Sequence, residues 1–495
     1  MIPVGAASGH LVVGVLWLLG VTVAVLEQRV PRARRAAFAM ALGAVSTAAL
    51  LAVALWPGDA TIPLAGGALR LDGFALFVQA FALAGAVGCL LLGRNRPAGW
   101  PPGANGLLLM SAAGVALVAM AVDLIAVMAG FAVAFIPLLG LAALRDDDDG
   151  REAAIKGAVL VLLALALLGM GTALLACRSG ATGLDAIRTF FIQSAWIGDD
   201  PLQVAAMALV LAGLGLFLAV VPLHMLFTDL AEGLPAPASL LLTGSLMAAG
   251  LAAAGRVLLV GFGPEAVSGP GYLSWPDVIH AAGLLALLVG NAMALVQRRL
   301  KRLLACLAFG QAGLGLLAVA AIGSLGGGPG SGSVQAVAGL LAFLAVHAVN
   351  WLGLFIAVGS VEMPGERVGL GRLEGLAREH PWLAAAVGLA LLCMAGMPLT
   401  AGFFVRLYLL DTMVAAGWLG TAVVVALSLG LVLVMSLGLV TAMFMRPRPA
   451  GLHLQRTIWL DLAAWLASLT ILALGVLPGG VFELAQRSAA ALLGG

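Results

Sequence analysis

Charged residues are scarce in this 495-residue chain. Lys and Arg number 25 and Asp and Glu number 23, which is 10% of the residues and gives a net charge of +2. A soluble domain of this length cannot cover its surface with so few charges, so the composition excludes that class. The pI of 8.5 comes from arginines in loops and gives no reason to expect a nucleic-acid partner.

Cysteine is also scarce. Cys89, Cys177, Cys306 and Cys393 are scattered within or at the ends of apolar spans, without metal-ligand spacing or a disulfide framework. No Gly-x-Gly-x-x-Gly opens a helix after a strand, and no cysteine cluster could hold an iron–sulfur centre. We therefore expect no cofactor, and any redox chemistry must belong to partner subunits. The four aspartates at 146–149 indicate a solvated loop rather than a metal site.

Apolar residues fill most of the chain. They make up 62% of it, and the mean hydropathy is +1.12. Each bilayer crossing needs roughly 20 apolar residues, so we expect an all-α polytopic membrane protein with about fourteen transmembrane helices in a single domain, 1–495. The predicted spans are 8–27, 36–56, 73–93, 106–121, 124–143, 157–177, 203–225, 237–257, 277–297, 303–323, 335–358, 382–410, 419–444 and 457–477. The first span lacks a basic n-region and a clear cleavage site, which favours a retained helix over a signal peptide.

Most of the positive charges lie in every second loop between the predicted spans. The sparser set holds little beyond Arg70, Arg178, Arg188, Arg256 and Arg487. The positive-inside rule then predicts a bacterial-type inner membrane protein with both termini on the outer, periplasmic side. The outer loop at 178–201 contains LDAIRTFFIQSAW, which indicates a short amphipathic helix at the interface.

Two prolines interrupt apolar spans, one in each half of the chain. Pro222 lies within AGLGLFLAVVPLHMLFTDL and Pro398 within LLCMAGMPLTAGFFVRLYLL. A mid-span proline removes a backbone donor and clashes with the preceding turn. Broken helices persist in a membrane only inside protein or beside a watery cavity, and a pair of them is typical of an ion or solute path. The alternative is that each proline makes a simple packing kink.

Four segments resemble motifs of one family. They are VPLHMLFTDLAEGLPAPASLLL (221–242), QRRLKRLLACLAFGQAGLGLL (297–317), VHAVNWLGLFIAVG (346–359) and GMPLTAGFFVRLYLL (396–410). In type and order they are similar to segments of the antiporter-like membrane subunits of respiratory complex I, Mrp-type cation/proton antiporters and membrane-bound hydrogenases. The chain length and the last segment most resemble the N-type subunit of NADH-quinone oxidoreductase.

This resemblance implies two inverted five-helix repeats, each with one broken helix. We expect the first repeat, called here the first half, at 103–257 and the second half at 277–445, with flanking helices in 8–93 and 457–477. The resemblance also implies proton transfer along a hydrated, mid-membrane row of Glu, Lys and His, because ionisable groups there are costly and are kept for charge movement. The implied partners are sibling antiporter-like subunits and a redox arm, assembled in the lipid bilayer.

The chain departs from the family at the relay positions. Ala132 stands where the family has the glutamate of the fifth helix, and Phe217 and Trp351 stand where it has lysines. The lysine of the twelfth helix is replaced by Arg406. Phenylalanine and alanine cannot carry a proton, and arginine effectively never deprotonates. We therefore expect the first half to have lost its relay.

Six ionisable residues remain as candidates for a proton path, namely His347, Arg406, Lys301, His224, Asp229 and Glu232. His347 is either a relay group or a histidine bonded to a backbone carbonyl. Arg406 is either a fixed charge in the path or a side chain that pairs with Asp411 and snorkels outward. The three residues after Pro222 either cap the loop or receive protons, and Lys301 is an entrance group or a positive-inside anchor.

Three functions remain open from the sequence. The first is a proton-translocating subunit of a complex I-like or hydrogenase-like assembly, without redox chemistry of its own. The second is a non-conducting structural subunit of such an assembly, which the apolar relay positions of the first half favour. The third is a self-standing secondary transporter for a cation or small solute, although such a site needs mid-membrane carboxylates or carbonyl cages, and carboxylates are scarce here.

Overall fold

Long apolar runs without interior charges dictate the secondary structure. In a bilayer every backbone N–H and C=O must be bonded within the protein, and a helix satisfies them within one segment. The computed structural model describes residues 4–30, 34–55, 61–94, 101–193, 200–263, 274–326, 331–362, 367–449 and 457–493. Its helices are Val4–Arg29 (α1), Arg34–Leu55 (α2), Gly73–Gly93 (α3), Ala104–Met120 (α4), Leu124–Ala143 (α5), Asp148–Ser179 (α6), Leu184–Gln193 (α7), Pro201–Phe217 (α8), Met225–Gly233 (α9), Ala236–Leu240 (α10), Met247–Arg256 (α11), Trp275–Val296 (α12), Leu300–Ser324 (α13), Ser331–Val361 (α14), Leu376–Glu379 (α15), Pro381–Ala395 (α16), Ala401–Ala415 (α17), Leu419–Met445 (α18), Ile458–Val476 (α19) and Pro478–Leu493 (α20).

Within the described ranges, eleven helices are long and apolar enough to cross a membrane. Three shorter apolar helices, α4, α8 and α16, accompany them. The chain is therefore a multi-pass membrane protein, and the total of fourteen crossings stays a prediction. The expected boundary between α4 and α5 is confirmed, because Asp123 caps α5 by accepting a hydrogen bond from the Ile125 N–H at 2.8 Å.

Two long helices form the centre of the bundle. One is α13, and the other runs from Ala236 to Phe262; both are buried along their whole apolar length. The second contains α10 and α11, which π-helical turns at Leu241–Leu246 and Val257–Phe262 continue. Close approach needs small residues: a Cβ on Gly313 of α13 would lie 2.5 Å from the carbonyl oxygen of Gly283 in α12. α14 lies beside this centre, while α6, α18 and α19 bury only about a third of their apolar length.

The all-α expectation is incomplete, since the chain also forms a short β-hairpin. Ile62–Leu64 (β1) pairs antiparallel with Leu69–Leu71 (β2). The turn between them contains Ala65 at φ 51° and Gly66 at φ 67°. Three-residue strands are too short for an apolar alternation to stand out in the sequence, which explains why the hairpin was not predicted.

A C-terminal amphipathic helix also went unpredicted. Residues 478–493, which follow the last predicted span, form α20, which packs against α3 and α14. The prediction of an amphipathic helix in the 178–201 loop is confirmed by α7, which buries Leu184, Ile187 and Phe191. Residues 194–196 of the predicted stretch lie outside the described ranges.

An isolated backbone bridge joins two connecting segments at each end of the bundle. At one end, here called the hairpin face, Leu69 of β2 bridges Ala121 in the loop before α5. At the other end, here called the arginine-rich face, Arg299 before α13 bridges Gly369 in the loop after α14. These contacts pin the loops and so fix where the helices begin.

Both mid-span prolines lie in helix breaks. Pro222 lies between α8 and α9, and Pro398 lies between α16 and α17. Each break also holds a non-glycine residue in the left-handed region, Ala219 at φ 56° and Leu399 at φ 71°. Such backbone conformations cost about 1–3 kcal/mol each and cluster at functional sites. The two breaks are therefore the first candidate regions for a functional site.

Candidate functional site

An aromatic stack fills the first half beside its broken helix. Phe217 at the end of α8 stacks on Phe131 of α5 with ring centroids 4.3 Å apart and planes 6° apart. Phe135 lies 5.1 Å from Phe217, and all three rings are essentially unexposed. The stack puts apolar rings at Phe217, the position at which the sequence predicts a lost relay lysine. Ala132, beside Phe131, is half-buried and adds no polar group.

Charged residues gather where this broken helix reaches the arginine-rich face. Asp229 accepts a hydrogen bond from Arg302 at 3.1 Å, and its other oxygen lies 3.8 Å from Lys156 Nζ. Glu232 is 8% exposed, and one oxygen lies 4.0 Å from Arg299 while Oε2 has no hydrogen-bond partner among the described residues. The structure thus brings two of the predicted acids into one charged pocket, where each pairs with different basic residues.

His224 stands apart from this charged pocket. Its ring packs 5.0 Å from the ring of Phe309, and it makes no capping hydrogen bond to α9. Its Nδ1 is buried without a partner in the described part of the chain. The interpretation of His224 as a cap of the loop is therefore wrong, and its ring instead packs beside Phe309 with a buried Nδ1 that has no partner in the described residues.

Lys301 is buried rather than exposed at the surface. Its side chain is 3% exposed and forms a 2.9 Å ion pair with Glu362, which is 5% exposed. The ammonium also donates to the carbonyl oxygens of Glu232 at 3.0 Å and Leu234 at 2.8 Å. The sequence analysis missed Glu362, although it is the carboxylate that directly follows α14. Lys301 is thus no surface anchor.

His347 lies in α14 between two partners. Its Nδ1 accepts a hydrogen bond from Trp351 Nε1 at 3.1 Å, and its Nε2 lies 2.9 Å from the carbonyl oxygen of Thr243. This pair of bonds selects the neutral tautomer with its proton on Nε2. Thr243 belongs to the π-helical turn of the central helix, and such turns occur often at functional sites. Trp351, predicted to stand at a lost relay position, thereby positions the histidine.

Arg406 is committed to the second helix break. Its guanidinium donates to the carbonyl oxygens of Cys393 at 3.1 Å, Met394 at 2.6 Å and Gly402 at 2.9 Å, and to Gln311 Oε1 at 3.0 Å. The first two carbonyls belong to the last turn of α16, where a positive charge is favoured. The alternative of snorkelling towards Asp411 is therefore wrong: Asp411 is exposed, whereas Arg406 is 6% exposed.

Glycine makes this break possible. A Cβ on Gly402 would lie 1.9 Å from the carbonyl oxygen of Cys393. Gly396, which ends α16, has φ 78°, a conformation that favours glycine. The backbone ends of α16 and α17 therefore approach closely enough for one guanidinium to bond to both.

Buried polar atoms without protein partners lie around Arg406. In the described residues they are Arg406 Nε, Gln311 Nε2 and Asn350 Oδ1. Asn350 and Arg406 both face Met394, whose sulfur lies 3.7 Å and 4.0 Å from their nitrogens. Buried polar groups are nearly always hydrogen-bonded, to ordered water where protein offers nothing. The second half is therefore polar at mid-membrane, in contrast with the aromatic stack.

The acidic run at 146–149 is paired with arginines and is not grouped with other possible metal ligands in the described residues. Within the described ranges, no three or more His, Cys, Asp or Glu side chains are grouped so that they could hold a metal ion. The aspartates at 146–149 instead form ion pairs with arginines, Asp147 with Arg145 and Asp149 with Arg367 at 2.5 Å. Burial would raise the pKa of Asp147, but hydrogen bonds from Arg145 and the Gly150 N–H lower it overall.

Comparison with known proteins decides the family. Residues 121–432 match the sequence profile of the NADH:quinone oxidoreductase/Mrp antiporter transmembrane family. The chain belongs to this family. NADH-quinone oxidoreductase subunit N 2 of Roseiflexus castenholzii is 32% identical over 474 residues, covering 92% of this chain and 91% of that protein. Subunit N 1 of Solidesulfovibrio magneticus is 33% identical over 397 residues, covering 79% of each.

Solved structures show the same fold. A chain of respiratory complex I from Thermus thermophilus is 27% identical and superposes with a TM-score of 0.79 over 96% of this chain and 99% of its own length. A chain of the Mrp complex from a Dietzia species, 20% identical, has a TM-score of 0.83 over 98% of this chain and 97% of its own length. The resemblance read from the four motifs is confirmed, including its N-type character.

Several polar residues of this family member were missed by sequence reasoning. Glu362, Gln311, Asn350 and Thr243 each contact a predicted site residue or its neighbours. The available signal was weak, because single amides and hydroxyls are common in transmembrane helices that pack closely. Gln311 lies inside one of the four family segments, yet only the packing of α13 against α17 shows that it reaches Arg406.

Proposed function

We propose that this chain is an antiporter-like membrane subunit of an energy-coupling complex of the complex I or hydrogenase type, and that its second half alone carries protons. Relatives named as subunit N, and similar chains in complex I and Mrp complexes, support the assembly. The partners are other membrane subunits and a redox arm, which performs the electron transfer.

The observation that carries the asymmetry is the contrast between the two breaks. Phe217 packs the first with stacked rings, whereas Arg406 in the second bonds Gln311 and shares Met394 with Asn350, and His347 lies in α14 of the same half. His347 is the proton carrier of this proposal, because its Nδ1 can accept a proton once Trp351 moves away. Lys301 lies at the arginine-rich face and Arg406 at the second break, each as a charge held by hydrogen bonds.

Replacing His347 with Ala in the assembled complex tests this role. The complex is purified through a tag on this chain, its subunits are identified by mass spectrometry, and it is reconstituted into vesicles. We expect redox subunits to be recovered, and proton uptake per electron to fall in the variant while electron transfer continues. Unchanged proton uptake would refute conduction through His347 and favour a non-conducting structural subunit. Recovery of the chain alone would favour a self-standing transporter.

We further propose that the hairpin face lies outside the cell and the arginine-rich face lies inside. The distribution of Lys and Arg supports this orientation. Cys177 offers a direct test, because it lies near the hairpin face and is exposed while the other three cysteines are buried. A membrane-impermeant thiol reagent should label intact cells at Cys177, and labelling should vanish in Cys177→Ser. Labelling only of inverted vesicles would reverse the orientation.

A further inference from the structure

The joint between α9 and α10 caps its own helix ends only in part: the Leu230 carbonyl accepts from the Leu234 N–H, and the Ala231 carbonyl accepts from Ser239 Oγ at 2.8 Å. α9 ends at Gly233 and α10 begins at Ala236. The N-cap position of α10 is Pro235, whose side chain has no hydrogen-bond acceptor. The last carbonyls of α9 point out of the helix without intrahelical partners. Because the joint is buried, the remaining groups, the Glu232 carbonyl and the Ala236 N–H, also need partners, and the Leu234 carbonyl has only longer contacts from Ser239 Oγ at 3.3 Å and Arg145 Nη1 at 3.5 Å.

The second half supplies them through one ion pair. Lys301 Nζ donates to the carbonyl oxygens of Glu232 at 3.0 Å and Leu234 at 2.8 Å. Glu362 Oε2 accepts a hydrogen bond from the Ala236 N–H at 3.1 Å. Lys301 and Glu362 bond to each other at 2.9 Å. One side chain thus serves the end of α9 and its partner serves the start of α10.

The charges have the signs that the helix ends favour. A cation is stabilised at a helix C-terminus and an anion at an N-terminus. The ammonium of Lys301 lies at the end of α9 and the carboxylate of Glu362 lies at the start of α10. Three acceptors surround the three hydrogens of the ammonium. The pair is therefore arranged to hold the joint.

We infer that Lys301 and Glu362 form a double cap with which the second half positions the α9–α10 joint, and through it the broken helix of the first half. Both are positioning residues. Their part in transport rests on the function proposed above, whereas the capping itself does not.

Amide hydrogen exchange of residues 230–240 tests the cap. Glu362→Ala should speed exchange of the Ala236 amide at least tenfold, and Lys301→Met should speed exchange across the joint to a similar extent. The matched control is Asp72→Ala, which breaks another buried pair: Asp72 bonds Arg256 at 2.6 Å and caps α3 through the Ala75 N–H. This control should leave residues 230–240 within twofold of the wild type. Unchanged exchange at the joint in both test variants would overturn the cap.

The swapped pair Lys301→Glu with Glu362→Lys separates capping from simple ion pairing. It restores opposite charges but gives each helix end the wrong one, so exchange at the joint should stay at least tenfold fast. Restored protection would overturn capping in favour of pairing alone. Because the swap leaves no buried charge unpaired, it keeps the capping hypothesis testable even if the single variants fail to fold.

Proton uptake per electron in the reconstituted complex tests the link to transport. Glu362→Ala should lower it to the level of His347→Ala. Wild-type uptake in Glu362→Ala, in a preparation where His347→Ala lowers it, would overturn the positioning role. If His347→Ala itself has no effect, the proposed function fails, while the exchange experiment still decides the cap.

Discussion

Gly402→Ala should destabilise the second helix break strongly. The added Cβ would lie 1.9 Å from the carbonyl oxygen of Cys393, and this neighbour is backbone that cannot rotate away. Overpacking of this kind costs about 1–3 kcal/mol. The same Cβ would lie 2.7 Å from Arg406 Nη1, which donates to both Gly402 and Cys393. Weakening one charged hydrogen bond adds about 1.5–3 kcal/mol, so we expect a loss of about 2–6 kcal/mol.

Gly430→Ala is the matched control for this substitution. Gly430 lies inside α18, and a Cβ there would meet no atom within 4 Å. Alanine in a helix interior is favoured over glycine by about 0.5–1 kcal/mol. The same chemical change should therefore be neutral or stabilising at this position.

Reversible unfolding in mixed micelles, followed by far-ultraviolet circular dichroism, gives the free energy of unfolding of both variants. The reasoning predicts opposite signs for Gly402→Ala and Gly430→Ala. A Gly402→Ala protein within about 0.5 kcal/mol of the wild type would refute the close approach of α16 and α17 at this break.

Three further outcomes follow from the same contacts. His347→Ala should lower proton uptake per electron in reconstituted vesicles, as set out above, with electron transfer retained. Phe217→Ala should lower the free energy of unfolding by about 3–5 kcal/mol, as should the control Phe262→Ala at another buried ring. Vesicles that contain either variant should remain impermeable to protons, because an apolar void stays dry. A proton leak in Phe217→Ala alone would show that the ring itself is the barrier. Arg256→Met should cost about 3–5 kcal/mol by leaving Asp72 buried without its cation, and adding Asp72→Asn should recover part of that loss; a purely additive double variant would contradict the pairing.

Features that depend on neighbouring residues in the chain could be predicted from the sequence. The scarcity of charge and the length of the apolar runs determine the membrane class, because each crossing needs roughly 20 apolar residues whose backbone groups bond within one helix. Pro222 and Pro398 predict interruptions because proline acts on its own turn of helix. Asp123 predicts the start of α5 because a side-chain cap is a contact over two residues.

Long-range pairing escaped prediction. Lys301 and Glu362 are 61 residues apart, and Arg256 and Asp72 are 184 residues apart. Their spacing along the chain carries no periodicity, because each pair joins different helices. Asp72 shows both kinds of contact: it caps α3 by accepting from the Ala75 N–H three residues away, and it pairs with Arg256 across the bundle.

The sequence by itself determined the class and the family, because these depend on which side chains are present and on motifs within single helices. Tertiary structure decided what the remaining groups do. Burial and neighbours converted Lys301 from a candidate proton carrier into a cap, and tied Arg406 to the carbonyls of a broken helix. A charged side chain at membrane depth takes its role from the partners that compensate it, and those partners come from distant segments that only the fold brings together.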